Sequence, residues 1–235
     1  MSLLSRYHPG NYTQEQFDLE KRIVRHSLFV SCSFIIVLWL IKLYEIEFNL
    51  DFSSWGLLPH SLRGLRGIFF SPLIHANLEH LIANTIPLFI LTFTLFFFYR
   101  KSSYSIFVLI YLFSGFFVWI GGRDALHIGV SGVIYGLAAF LFLSGIISFN
   151  IRLLTIAMIV SLVYGGMFWG IFPVKPDISW ESHLWGGISG LGFAVLYRNS
   201  APSNRKEEED DEDDDDLIKF ESDPEQDQDQ GDRNN

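Results

Sequence analysis

The chain is poor in cysteine, methionine and proline, and through its middle it is almost bare of charge. One cysteine, Cys32, stands in 235 residues, which rules out an intrachain disulfide and leaves no cysteine-based metal set. Cohesion must therefore come from packing. Residues 1–200 hold only 10 of the 26 Asp and Glu; the other 16 crowd into residues 201–235, against 4 Lys or Arg. The formal charge of −9 thus belongs to the tail, which alone carries −12, while the rest of the chain carries +3. No small-residue cleavage pattern closes the first apolar run, and Arg6, Glu15, Asp18 and Glu20 precede it. That run reads as a retained membrane helix, not a signal peptide. The chain also has no H-E-x-x-H string. His75 to His80 reads H-A-N-L-E-H, one residue too long for H-x-x-E-H, and the two rings would diverge by roughly 140° on a helix. Neither a metal nor a cofactor is expected, and no nucleic-acid partner.

What is abundant is apolar surface: 49% hydrophobic residues and 23 Phe, a composition that suits a bilayer better than water. Six stretches approach the roughly 20 apolar residues that a crossing needs: 27–43, 78–98, 103–121, 131–149, 152–171 and 181–197. The expected fold is an all-α polytopic membrane protein with six transmembrane helices in a compact bundle. Its parts are an N-terminal cytoplasmic segment (1–26), a membrane domain (27–198) and an acidic, disordered cytoplasmic tail (199–235). Basic residues set the direction. Nine (Lys21, Arg22, Arg25, Arg100, Lys101, Arg152, Arg198, Arg205, Lys206) fall on the cytoplasmic side of an N-in, C-in arrangement, against five outside (Lys42, Arg63, Arg66, Arg123, Lys175). The first loop, Tyr44 to about Ile74, mixes Trp55, Leu57, Leu58, Leu62 and Leu65 with Arg63 and Arg66, the composition of an interfacial segment. The tail cannot bury a core; its charge would attract a basic partner, solubilisation being the simpler role.

Two G-x-S-G strings occur, around Ser131 and Ser189, and depth separates them. With the N-terminus inside, the fourth and sixth spans both run inward from the outer face, so Ser131 and His183 share the outer level. Ser189 follows His183 by six residues, roughly 9 Å deeper and about 240° around the axis, out of its reach. His80 and Asn84, four residues apart on the second span, point from one helix face near the same level. Each alone could be a helix-packing hydrogen bond, but four polar groups at one depth point to function. A serine is a weak nucleophile at neutral pH and needs a base, which His183 can supply. The oxyanion of a tetrahedral intermediate needs fixed donors, and His80, Asn84 and the Ser131 N–H are suitable. Glu79 and Glu181, the only carboxylates in the spans, sit at outer edges where solvation explains them, so a Ser131–His183 dyad is expected without a third acid. Tyr135, one turn after Ser131, can stack on the imidazole. Gly132-xxx-Gly136 and Gly186-xxx-Gly190 would draw the fourth and sixth helices together. Residues 122–130 should dip inward and line a water-filled hollow. Phe168, Trp169 and Phe172 on the fifth helix form a candidate gate for substrate arriving from lipid.

Three segments, HANLEHLIAN (75–84), HIGVSGVIYG (127–136) and SHLWGGISG (182–190), together make the chain resemble the rhomboid family of intramembrane serine proteases over residues 27–198. The resemblance implies Ser131 as nucleophile, His183 as base, His80 and Asn84 lining the oxyanion hole and Tyr135 packed on the base. It implies cleavage of single-pass membrane proteins near the outer face, and the compact six-helix form suggests a bacterial plasma membrane. Two departures stand out: the first loop has Trp55, Arg63 and Arg66 but no adjacent Trp-Arg pair, and Ser71 stands where some relatives have a further histidine. His75, Arg123 and His127 read as structural. The alternatives are a non-catalytic rhomboid-like protein that binds membrane clients, against which both Ser131 and His183 speak, and a small transporter, for which no inverted repeat is evident.

Overall fold

The computed structural model describes residues 14–163, 169–173 and 179–200. The expectations placed on Phe168 and on the acidic segment 201–235 lie outside these residues. Among the described residues the chain is all-helical, with no strand beyond an isolated antiparallel bridge between Leu57 and His127. The helices described in full are, in order, α1 Gln14–Glu47, α2 Gly67–Phe70, α3 Leu78–Phe98, α4 Ser103–Gly121, α5 Ser131–Ile147, α6 Ile151–Val163 and α7 Trp180–Leu196. Of these, α1, α3 and α4 are long and apolar enough to cross a membrane.

Helix α1 begins well before the apolar stretch expected at 27–43. Its 34 residues span about 51 Å, more than the roughly 30 Å of a hydrocarbon core. Glu15, Glu20, Lys21, Arg22 and Arg25 extend it because long straight side chains favour helix even where no bilayer is needed. Its buried residues are Ser27, Ser31, Leu38, Lys42 and Glu45, a single stripe at helical spacing, while Phe29, Ile36, Leu40 and Leu43 face outward. Polar residues inside and apolar ones outside is the pattern lipid imposes on a membrane helix. Helices α3 and α4 coincide residue for residue with the stretches 78–98 and 103–121. Asn77 starts α3 by accepting the His80 backbone N–H on its side chain (2.8 Å), and Asn150 starts α6 in the same way through Arg152 and Leu153.

Helix α5 is the axis of the bundle. Eleven of its 17 residues are buried, with Phe142 and Ile146 exposed on one face and α3, α4, α6 and α7 packed against it. Leu81, Leu88, Leu91, Leu95, Ile106, Ile110, Leu137, Phe140, Leu141 and Leu153 fill the space between. In lipid, leucines gain little by leaving one apolar phase for another, so close packing and small residues decide which helices touch. Here α7 lies on α5 with backbone against backbone: a Cβ built on Gly186 would stand 2.0 Å from the Gly132 carbonyl oxygen, and one on Gly190 would stand 2.0 Å from that of Gly136.

The first loop is folded, not a loose connector. Leu57, expected at the interface, is instead fully buried, because its backbone pairs with His127 in both directions (2.9 and 2.8 Å). The Arg66 guanidinium lies 4.8 Å from the centre of the Trp55 ring and donates to the Ser54 carbonyl (2.7 Å). Trp55 and Arg66 are thus in contact although they are not neighbours in sequence. Trp119 of α4 donates to the Ser61 carbonyl (2.9 Å), and Leu62, Phe69 and Phe70 stay exposed.

The adjacent glycines 186 and 187 give a paired test of this packing. Gly186→Ala should lower the thermal unfolding temperature of the purified protein, at an overpacking cost of about 1–3 kcal/mol. Gly187→Ala, where no atom lies within 4 Å of the added Cβ, should leave it unchanged or raise it. Equal effects would contradict the close contact of α5 and α7.

Candidate active site

Ser131 is the first residue of α5, and His183 lies in the first turn of α7. The glycine contacts bring these two helix starts together, so that His183 Nε2 is 2.9 Å from Ser131 Oγ with both side chains buried. The other ring nitrogen, Nδ1, is 2.9 Å from the Gly170 carbonyl oxygen. A carbonyl can only accept, so Nδ1 carries the proton and Nε2 is left as the acceptor for the Ser131 hydroxyl. The tautomer a general base requires is therefore fixed by backbone, with no carboxylate.

Tyr135 stacks on the imidazole with ring centres 4.1 Å apart and planes 5° from parallel. One turn along α5 from Ser131, it holds the ring from the face while Gly170 holds it from the edge. Gly170 must be a glycine to come this close: an added Cβ would lie 2.1 Å from Tyr135 Oη and 2.9 Å from His183 Nδ1. Nothing in the sequence signalled Gly170, since a backbone acceptor has no residue type.

His80 and Asn84 stand on the facing helix α3. His80 packs against Gly129, whose φ of +108° is open to glycine and strained for other residues; a Cβ there would lie 2.6 Å from the His80 ring. Asn84 is buried, and its Nδ2 donor has no hydrogen-bond partner among the described residues. An unpaired buried donor costs about 1–3 kcal/mol, and such a group is ready for an acceptor that arrives from elsewhere. The N-cap residue of α5, Val130, makes no side-chain cap hydrogen bond among the described residues. Ser189, the serine of the second G-x-S-G string, donates to the Trp185 carbonyl in its own helix (2.8 Å).

The approach to Ser131 is tied down on both sides. Gly129 N–H donates to the Ser71 carbonyl (2.8 Å), and the Val130 N–H points at His75 Nε2 (3.5 Å). Burial, with the charges of His80 and Lys42, holds His75 down at about 3, so it is neutral and able to accept. Burial likewise holds His127 below the ordinary imidazole range. Its Nε2 lies 3.2 Å from the Arg123 carbonyl, to which it donates, leaving Nδ1 to accept from Ser179, which is in turn bonded to Ser182 (2.6 Å). This chain links loop 122–130 to the start of α7. Glu181 belongs to the same junction. The sequence placed it at a solvated edge, yet its side chain is 2% exposed, with Arg123 Nε at 3.3 Å and neither carboxylate oxygen hydrogen-bonded among the described residues. Ser71, Ser114, His127 and Ser182 line a small hollow behind Gly129 and Gly132, where loop 122–130 had been expected to meet water. Among the described residues no three His, Cys, Asp or Glu side chains converge as a metal set would.

A family model, the Rhomboid domain, matches residues 63–200. Among curated proteins, the uncharacterized protein Rv1337 of Mycobacterium tuberculosis is 34% identical over 186 residues, covering 74% of this chain and 75% of its own. The uncharacterized protein ML1171 of Mycobacterium leprae is 34% identical over 187 residues, covering 74% of this chain and 71% of its own.

Gly170→Ala should displace the carbonyl from His183 and release the tautomer. In protein labelled with 15N at histidine, the His183 signals should change from a single Nδ1–H form to a mixture of the two tautomers. Adding Tyr135→Phe, which removes the closest clashing atom, should restore part of the original signal. A spectrum unchanged by Gly170→Ala would show that the carbonyl does not set the tautomer.

Proposed function

The chain belongs to the rhomboid family of multi-pass membrane proteins, and from that premise we propose that it is an intramembrane serine endopeptidase working through Ser131 and His183. The observation that carries this reading is the Ser131 Oγ to His183 Nε2 contact of 2.9 Å together with the Gly170 carbonyl on Nδ1. A buried serine can satisfy its hydroxyl on its own helix, as Ser189 does on the Trp185 carbonyl, so packing alone does not call for a histidine partner. In this reading Ser131 attacks the scissile carbonyl as His183 Nε2 takes its proton, and the imidazolium that forms is stabilised at Nδ1 by Gly170. The oxyanion is met by Asn84 Nδ2, by His80 and by the Ser131 N–H at the start of α5, where the helix dipole also favours negative charge. His183 returns its proton to the leaving amine, and water entering past Ser131 releases the acyl-enzyme by the same steps in reverse order of roles.

The reading includes six spans with both termini inside, the described helices supplying them with α6 as part of the fifth. Helix α5, at 17 residues about 26 Å long, can start below the membrane surface because neighbouring helices shield it from lipid. Substrates are single-pass membrane proteins, cut near the outer face where Ser131 and His183 lie. The mycobacterial relatives favour a bacterial plasma membrane. The acidic tail faces the cytoplasm in this arrangement, where a basic protein surface is the partner its charge would attract.

Cleavage of a single-pass substrate by protein purified in detergent tests the proposal. Ser131→Ala and His183→Ala should each lower kcat/KM by at least ~10³-fold, and His80→Ala and Asn84→Ala by roughly 10²- to 10³-fold each. Ser189→Ala should cut like wild type. A wild type that cuts no substrate, with the variants folded, would favour a client-binding protein instead.

A further inference from the structure

Lys42 is buried near the end of α1, in a stripe where the other face of the helix is apolar and outward. A lysine placed there has three N–H donors to satisfy, and each has an acceptor: Glu45 Oε2 at 2.8 Å, the His75 carbonyl at 2.9 Å and the Ala76 carbonyl at 3.2 Å. Glu45 uses its second oxygen to accept the Phe52 N–H (2.9 Å). The cluster therefore joins the end of α1, the start of the first loop and the two residues that lead into α3. None of these groups takes part in the chemistry above, and both charged residues precede the segment matched by the Rhomboid domain.

Neutralising a charge does not explain the arrangement. Glu45 balances Lys42, but a buried ion pair is weak evidence for stability, since apolar residues of similar volume often hold helices together as well or better. What apolar residues could not do is grip two carbonyls. His75 and Ala76 stand immediately before Asn77, which caps α3 at His80. The His75 ring lies edge-on to His80 with centres 5.2 Å apart, and its Nε2 faces the Val130 N–H beside Ser131. His75 is thus the residue that touches both halves of the site, and Lys42 holds its backbone.

We propose that Lys42 is a positioning residue for the oxyanion side of the site: through the His75 and Ala76 carbonyls it sets where the first turns of α3, with His80 and Asn84, stand relative to Ser131. The proposal rests on the protease reading. A donor displaced by a fraction of an ångström still binds substrate but meets the oxyanion poorly, so the loss falls on kcat and not on KM.

The decisive variant is Lys42→Met combined with Glu45→Gln. It removes the charge pair together, leaving no uncompensated buried ion, and keeps an acceptor for the Phe52 N–H. This variant should fold with an unfolding temperature below that of the wild type, since two carbonyls lose their donors, and with KM within about twofold, while kcat falls roughly 10- to 100-fold. Lys42→Arg, which keeps a cation with several donors, should recover part of that loss. A folded double variant with wild-type kcat would overturn the proposal and leave the protease reading intact. So would a double variant and a Lys42→Met that both fail to fold, because Lys42 would then serve folding alone. A wild type that cleaves nothing would bring down the protease reading, and this proposal with it.

Discussion

Everything at the site depends on two helices approaching to backbone contact. Ser131 and His183 lie 52 residues apart in sequence, on different helices, and meet only because Gly132 and Gly136 face Gly186 and Gly190 with no side chain between them. A methyl group at Gly186 or Gly190 would push α7 outward, and the hydrogen bond would open with it. The same constraint explains why most of α5 is buried: it must carry the serine inward from lipid and be clasped by four neighbours. Packing supplies in this membrane protein what hydrophobic burial supplies in water.

With the helices fixed, the remaining question is orientation, and here backbone and aromatic surface replace a carboxylate. The Gly170 carbonyl fixes the proton on Nδ1, Tyr135 fixes the plane of the ring, and an ion placed nearby in a low-dielectric interior would have cost desolvation. Charges are instead kept one shell away. Arg123 and Glu181 tie the loop before Ser131 to the start of α7, and Lys42 and Glu45 tie α1 to the start of α3. Each pair stands at an entry to the helices that carry the site, where holding a chain in place matters more than reactivity.

Side-chain chemistry and helical spacing made much of this legible. Ser131, His183, His80, Asn84 and Tyr135 could be picked out because polar groups inside apolar stretches are few and their depths can be compared, and α3 and α4 have bounds that their apolar runs define. Three kinds of feature escaped. Gly170 acts through its carbonyl, which every residue possesses. Glu181 and Lys42 looked like charges at membrane edges, because their partners come from a distant loop and from backbone oxygens that no spacing rule connects to them. The Trp55 and Arg66 contact spans eleven positions and depends on two tight 3₁₀ turns, Ser53–Trp55 and Arg63–Arg66, whose geometry is set by tertiary packing. The start of α1 was not legible for a different reason: the apolar run 27–43 marks where a helix can cross lipid, not where it begins.

The central claim, that His183 activates Ser131, is tested most directly by a serine-reactive fluorophosphonate followed by peptide mapping in a mass spectrometer. The account predicts one adduct per chain, on Ser131, in the wild type, and its near absence in His183→Ala although the serine is still present. An adduct on Ser189 or on another serine, or equal labelling of Ser131 with and without His183, would contradict it.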